Sequence, residues 1–269
     1  MTGPLGILAG SGDLPRRLIA ASRGRQRDVF ILAVDGQTDR ETVDGCAHGW
    51  FRIGAVGAMF DALHKAGVRD LVMAGKFVRP SLFSLAPDAR GAALLARIGF
   101  RALGDDGMLK LLTAELESEG FRVVSVADVL GNQSIGKGPL GQHAPNEKDD
   151  YDIERGMAVL HALAPVDVGQ ACVVQQGTVL AVEAAEGTDA MVERAALLQR
   201  GGERGVLVKL AKVQQDDRLD LPVIGADTVR KVASAGFAGI AIDGNRAILV
   251  DRDATIAAAD AAGIFLVGV

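Results

Sequence analysis

Short apolar runs alternate with amphipathic stretches along the first half of the chain. The runs Gly6-Ile7-Leu8-Ala9, 29–34, 70–74 and 121–126 have the length and composition of strands buried on both faces. Between them, residues 14–21, 58–66 and 108–117 repeat apolar positions at intervals of three and four, as helices covering a sheet do. Gly67 and Gly120 follow two of these stretches, where a helix ends in left-handed backbone. Strand and helix in alternation predict βα units and a mostly parallel sheet.

The pattern stops over 131–150, where Gly131, Gly136, Gly138, Pro139, Gly141 and Pro145 break any period. This predicts a first domain over 1–131, a linker over 132–150 and a second domain over 151–269. Beyond the break come a helix over 153–163 and a hairpin of strands 171–174 and 179–183 turning at Gln176-Gly177. A helix over 190–199, a strand over 205–210 and a helix over 228–235 follow. The end reads as a strand over 240–242, a turn at Asp243-Gly244-Asn245, a strand over 247–250, a helix over 254–262 and a strand over 264–267. The expectation is a second α/β domain with a mixed sheet.

Composition narrows the class. With 269 residues, 49% hydrophobic and 23% charged, the chain can bury two modest cores, and 34 Gly against 8 Pro excludes collagen-like and disordered chains. A net charge of −5 supplies no basic field for a nucleic-acid backbone, and one Trp with one Tyr leaves little surface for stacking bases. Nucleic acid is therefore not an expected partner. No window of about 18 apolar residues and no cationic, apolar leader is present, so a cytoplasmic protein is expected. Cys46 and Cys172 form no CxxC motif and read as ordinary thiols. His48, His64, His143 and His161 have no ligand spacing, and no GxSxG turn occurs, which disfavours serine, cysteine and zinc hydrolases.

Chemistry is expected first in Leu8-Ala9-Gly10-Ser11-Gly12-Asp13-Leu14-Pro15, a strand running through a glycine turn into a helix, with Asp13 as N-cap and Pro15 near its first position. Such a turn offers bare N–H groups at a helix N-terminus, where phosphate is favoured; a purely structural turn is the alternative. The motif gives the first domain a Rossmann-like character, but the dinucleotide fingerprint needs a third glycine where Pro15 stands, so a standard NAD site is not expected. Asp35, ending the second strand, imitates the ribose-binding acid of that fingerprint and equally suits a turn. Lys76 and Arg79, in Ala74-Gly75-Lys76-Phe77-Val78-Arg79-Pro80, follow a buried strand and are placed either for an anion or for solvent. In Gly104-Asp105-Asp106, either acid can cap the following helix.

The second half carries more acids. Asp167-Val168-Gly169-Gln170, the stretch Glu183-Ala184-Ala185-Glu186-Gly187-Thr188-Asp189, and the run from Gln215 through Asp216, Asp217, Arg218 and Asp220 to Pro222 all lie outside the periodic segments. Ile224-Gly225-Ala226-Asp227-Thr228 follows them. Carboxylates spaced beside Arg and Lys suit Mg²⁺, which binds oxygen and shares its coordination with phosphates. They also suit capping, with Asp189 and Asp227 each placed before a helix.

Taken in this order, the seven motifs resemble the LpxI-type UDP-2,3-diacylglucosamine pyrophosphatases of lipid A biosynthesis over nearly the whole chain. Ser11 departs from the pattern, standing where a further glycine is expected. The resemblance implies cleavage of the substrate's pyrophosphate to UMP and 2,3-diacylglucosamine 1-phosphate, with Mg²⁺, by a homodimer touching the inner membrane transiently. It implies two domains enclosing the substrate. It places substrate contact at Gly10, Ser11, Gly12, Lys76, Arg79, Gln170, Gly187, Thr188 and Asp189. Asp216, Asp220 and Asp227 are the implied metal ligands and, with Arg218, the implied catalytic residues. A non-catalytic nucleotide-sugar sensor, in which the acids are only caps, is the rival reading; an NAD-linked oxidoreductase is a further one.

Overall fold

The computed structural model describes residues 3–78, 86–98, 105–131, 135–212, 218 and 221–269. The chain forms two compact units, Met1–Gly131 and Asn132–Val269. In the first, β1 (Leu5–Ala9), β2 (Val29–Val34), β3 (Ala47–Phe51), β4 (Asp70–Ala74) and β5 (Arg122–Val123) form one sheet in the order β3-β2-β1-β4-β5. Every neighbouring pair is parallel. The helices are α1 (Leu14–Gly24), α2 (Val56–Lys65), α3 (Ala89–Ile98), α4 (Asp105–Ser118) and α5 (Val126–Leu130). Strand order reverses between β1 and β4, which makes their carboxyl ends the switch point of a Rossmann-like sheet. Leu5, Ile7, Ile31 and Val72 are fully buried and pack with Leu18 of α1.

Two elements differ from the sequence pattern. The apolar run 121–126 is strand only to Val123, because Ser125 starts α5: its hydroxyl accepts from Asp128 N at 3.0 Å while its N–H donates to Asp128 Oδ2 at 3.2 Å. β3, an edge strand beside β2, carries little apolar alternation.

In the second unit, β6 (Gly138–Pro139), β7 (Ala171–Gln175), β8 (Thr178–Val182), β9 (Val206–Lys209), β11 (Gly239–Ile242) and β13 (Phe265–Gly268) form a mixed sheet in the order β6-β13-β11-β9-β7-β8. β9, β11 and β13 run parallel at its centre, β6 and β7 flank them antiparallel, and β8 pairs antiparallel with β7. One face packs on α6 (Glu147–Leu163) through Ile153 and Leu160. The other packs on α7 (Gly187–Ala196), α8 (Ala226–Ser234) and α9 (Arg252–Ala262) through Met191, Val229, Val232 and Ala259. β10 (Val223–Ile224) and β12 (Ile248–Leu249) form a separate parallel pair.

Of the stretch expected as a linker, the described residues 135–150 are built into this unit. Gly138 and Pro139 pair with β13, Leu140 N donates to Leu266 O at 2.9 Å, and Asn146 caps α6 through a reciprocal box with Asp149. Its glycines and prolines mark an edge strand and turns. The hairpin turns at Gln176 (φ 50°) and Gly177 (φ 73°), whose N–H groups both donate to buried Asp152, at 2.8 and 2.6 Å. The 247–250 strand does not return against β11; its core, β12, pairs with β10, and Asp243 Oδ1 holds the turn by accepting from Asn245 N and Arg246 N at 3.0 Å each.

Candidate functional site

In the first unit, the loops after β1 and β4 are stitched together. Gly10 N donates to Ala74 O at 2.8 Å, Ser11 N to Lys76 O at 3.0 Å, and Lys76 N to Ser11 O at 2.9 Å. Ser11 Oγ adds a bond to Lys76 O at 3.1 Å. Gly12 N donates to Asp39 Oδ2 at 2.7 Å. The three N–H groups expected to stand bare for a phosphate are therefore already in use. Two contacts bring this about: an isolated antiparallel bridge joins Ser11 and Lys76 just past β1 and β4, and Asp39 supplies its own anion at the start of α1.

Asp13 occupies the N-cap position of α1, with Pro15 in the first turn, yet its side chain makes no cap and turns instead to Arg16 and Arg17. The Gln37 amide clamps Val78 through its backbone, accepting from N at 2.8 Å and donating to O at 2.9 Å. Lys76 is exposed, as are Phe77 and Val78 beside it. Arg79 lies outside the described residues, as do Asp216 and Asp220 of the second unit.

In the second unit, the carboxyl ends of β8, β9 and β11 and the start of β7 lie at one end of the sheet. Register sets Lys209 beside Ala171 and Ile242. Lys209 and Glu183 are each 7% exposed. Lys209 Nζ donates to Thr188 Oγ1 at 3.0 Å and more distantly to Val223 O at 3.4 Å, while Thr188 Oγ1 donates to Glu183 Oε1 at 2.7 Å. Glu183 Oε2 accepts from Gln170 N at 3.1 Å. Gln170 thus enters this array through its backbone, and its side-chain oxygen is buried with no hydrogen-bond partner among the described residues.

Gly187, Thr188 and Asp189 form the first turn of α7, whose N-cap is Glu186 rather than Asp189. Asp189 pairs with Lys231 of α8 at 2.7 Å, and this carboxylate raises the lysine's pKa. Gly225, not Asp227, is the N-cap of α8; Asp227 sits in its first turn, exposed and paired with Arg230. Arg218 is partly buried. Lys212 pairs with Asp167, and its carbonyl accepts from Arg246 Nη1 at 3.1 Å.

The structure therefore brings together Gln170, Thr188, Glu183 and Lys209. Lys209 escaped the sequence reading, although its signal is present: a lysine closing the buried run Val206–Lys209. Among the described residues no group of three His, Cys, Asp or Glu could hold a metal ion. No helix among them is long and apolar enough to cross a membrane.

Solved structures align only distantly. A Bordetella bronchiseptica enzyme, WbmG, solved with NAD and UDP, aligns over 99% of this chain and 80% of its own at 11% identity, with a TM-score of 0.37. A biotin carboxylase domain of the Hydrogenobacter thermophilus 2-oxoglutarate carboxylase aligns over 74% and 41% at 10% identity and a TM-score of 0.28. Neither score bears on function. Sequence similarity is far closer. The UDP-2,3-diacylglucosamine pyrophosphatase LpxI of Caulobacter vibrioides is 39% identical over 272 residues, covering 98% of this chain and 97% of that one. The LpxI N-terminal domain model matches residues 4–133 and the LpxI C-terminal domain model residues 136–267. With both domains matched in order and along almost their whole length, the chain belongs to the LpxI family.

Proposed function

We propose that this protein hydrolyses the pyrophosphate of UDP-2,3-diacylglucosamine, releasing UMP and 2,3-diacylglucosamine 1-phosphate for lipid A synthesis. The observation that carries the reading is the 39% identity to a pyrophosphatase of that specificity along 98% of the chain. Water adds at one phosphorus while the bond from that phosphorus to the bridging oxygen breaks. The bridging oxygen leaves with the bond's electron pair.

The side chains support water rather than a protein nucleophile. Burial pushes the Cys172 thiol up to about 12, so it supplies almost no thiolate at neutral pH. The Thr188 hydroxyl is held between Lys209 and Glu183. In our reading, carboxylates among Asp216, Asp220 and Asp227 orient or deprotonate the water, and Arg218 meets developing charge on phosphate oxygens. Lys76 and Arg79 receive anionic oxygens at the first unit. Ser11, Gly12, Gly187 and Asp189 border the substrate.

The reading includes a Mg²⁺ requirement, with Asp216, Asp220 and Asp227 as its donors. When bound, the ion would offset pyrophosphate charge. It also includes a homodimer, measurable by light scattering, and brief contact with the inner-membrane surface to collect a substrate whose acyl chains gain about 0.8 kcal/mol per buried CH₂.

The deciding experiment is UMP release from UDP-2,3-diacylglucosamine by the purified protein, with Mg²⁺ and with excess chelator. Release abolished by chelator supports hydrolysis and the metal together. Saturable binding without release under either condition would make the protein a nucleotide-sugar sensor. Nicotinamide fluorescence unchanged on titration with protein would dispose of an oxidoreductase.

A further inference from the structure

Three consecutive side chains of the turn after β2 reach across to neighbouring segments. Gln37 Oε1 accepts from Val78 N at 2.8 Å, and Gln37 Nε2 donates to Val78 O at 2.9 Å. The Thr38 hydroxyl, in a residue 8% exposed, accepts from Val34 N at 2.7 Å and donates to Ala9 O. Asp39 Oδ2 takes the Gly12 N–H at 2.7 Å. One short turn thus ties the ends of β1 and β2 to the entry of α1 and to the loop after β4.

Gln37 holds a stretch that burial does not hold. Lys76, Phe77 and Val78 are all exposed. Side chains that remove little apolar area from water do little to fix the backbone that carries them. Hydrogen bonds fix it instead: Ser11 and Lys76 exchange backbone bonds at 2.9 and 3.0 Å, and two residues further on Val78 meets the Gln37 amide. A carboxamide suits that task because it carries a donor and an acceptor on one planar group. It meets the N–H and C=O of a single residue as the peptide groups of a neighbouring strand would. An aliphatic, carboxylate or ammonium side chain offers at most one of the two bonds.

We propose that Gln37 is a positioning residue for substrate binding: its amide pre-sets the loop that carries Lys76, so that an anionic oxygen of the pyrophosphate is met by a loop already in place. The proposal rests on the pyrophosphatase reading above, in which Lys76 receives such an oxygen. Gln37 acts through the Val78 backbone. A loop that is correctly placed only part of the time weakens apparent affinity by that fraction, whereas bound substrate orders the loop itself. Loss of the clamp therefore raises KM and leaves kcat in place.

The test uses the full chain with Gln37→Met, nearly isosteric and without either hydrogen bond, and Asp70→Asn as a control at the amino end of the same sheet. Steady-state UMP release from Gln37→Met is expected to show KM raised about tenfold and kcat within about twofold of wild type. Hydrogen exchange at the Val78 amide reads the clamp directly and should quicken about tenfold. Asp70→Asn should lower the thermal midpoint and keep the wild-type KM. An unchanged KM in Gln37→Met overturns the proposal, as does unchanged exchange at Val78. A KM raised equally by Asp70→Asn makes the effect one of general stability and also overturns it. If the wild type releases no UMP, the pyrophosphatase reading fails, and calorimetric titration with inorganic pyrophosphate then judges the clamp. Binding about tenfold weaker in Gln37→Met supports it; equal binding, or none by wild type, overturns it.

Discussion

Gly10 and Gly75 pass so closely at the end of the first sheet that a Cβ on Gly75 would lie 2.7 Å from the Gly10 carbonyl carbon, and one on Gly10 2.9 Å from that of Gly75. Neither neighbour is a side-chain tip that can swing aside. Gly75 also has φ of 98°, a conformation that resists any Cβ. Gly75→Ala should therefore cost about 2 kcal/mol or more, through strain and forced separation of the Ser11–Lys76 bridge. Gly24→Ala is the control: its Cβ meets nothing within 4 Å, and the helix end should gain a few tenths of a kcal/mol. Urea midpoints of the two variants should move in opposite directions.

How much of this was legible in advance depends on whether local or distant groups set the structure. The hairpin turn at Gln176-Gly177 was legible because the turn chemistry is local. β3 was not, since Ala47, His48, Gly49 and Trp50 gain their strand geometry by pairing with β2 rather than from a pattern of their own. The partner of β12 was equally hidden, because β10 lies far from it in sequence. At the site, glycine turns and acids drew notice as types. That Asp39 had already taken the Gly12 N–H is a long-range contact no spacing reveals. Lys209 was masked by its own strand, since a reading that seeks apolar runs carried the strand through it to Leu210.

Asp70 ties the amino end of the first sheet to Arg122 at 2.8 Å and Arg27 at 2.6 Å. Burial alone would raise its pKa; the hydrogen bonds and charges of Arg122 and Arg27 outweigh that and hold the carboxyl below its ordinary 3.8. A depressed folded value means the unfolded chain takes up the proton first. The stabilisation is thus whole above 3.8 and drains away as pH falls through the lower folded value. Asp70→Asn should lose about 2 kcal/mol at pH 7, and its stability should change less than the wild type's between pH 4 and 2, because hydrogen bonds to charged groups contribute roughly that much. Denaturant titrations at several pH values measure both effects.

Phe77 and Val78 are 40% and 72% exposed although the Gln37 clamp fixes the backbone of Val78. An ordered loop that shows apolar side chains beside exposed Lys76 suits a surface carrying both hydrocarbon and anionic headgroups. If the enzyme collects its lipid from such a surface, Val78→Asp should reduce sedimentation with phosphatidylglycerol-containing vesicles several-fold and leave the thermal midpoint unchanged. Equal sedimentation of the two proteins would remove this loop from the membrane contact.

Asp227 offers the sharpest contrast between a structural and a chemical role. Its carboxylate is 86% exposed and paired with Arg230 in the first turn of α8. If helix electrostatics were its whole purpose, Asp227→Ala would cost about 0.5 kcal/mol of stability and leave turnover intact. If it serves the attacking water or a bound cation, as proposed, turnover should fall on the order of a hundredfold, while the folded protein loses only that small stability. Asp227→Asn separates the two further, because it keeps the side chain's shape and removes its charge. Both variants should release UMP slowly at saturating substrate and Mg²⁺ while retaining near-native midpoints. Wild-type turnover in either would return Asp227 to the helix and leave Asp216 and Asp220 as the acids to test.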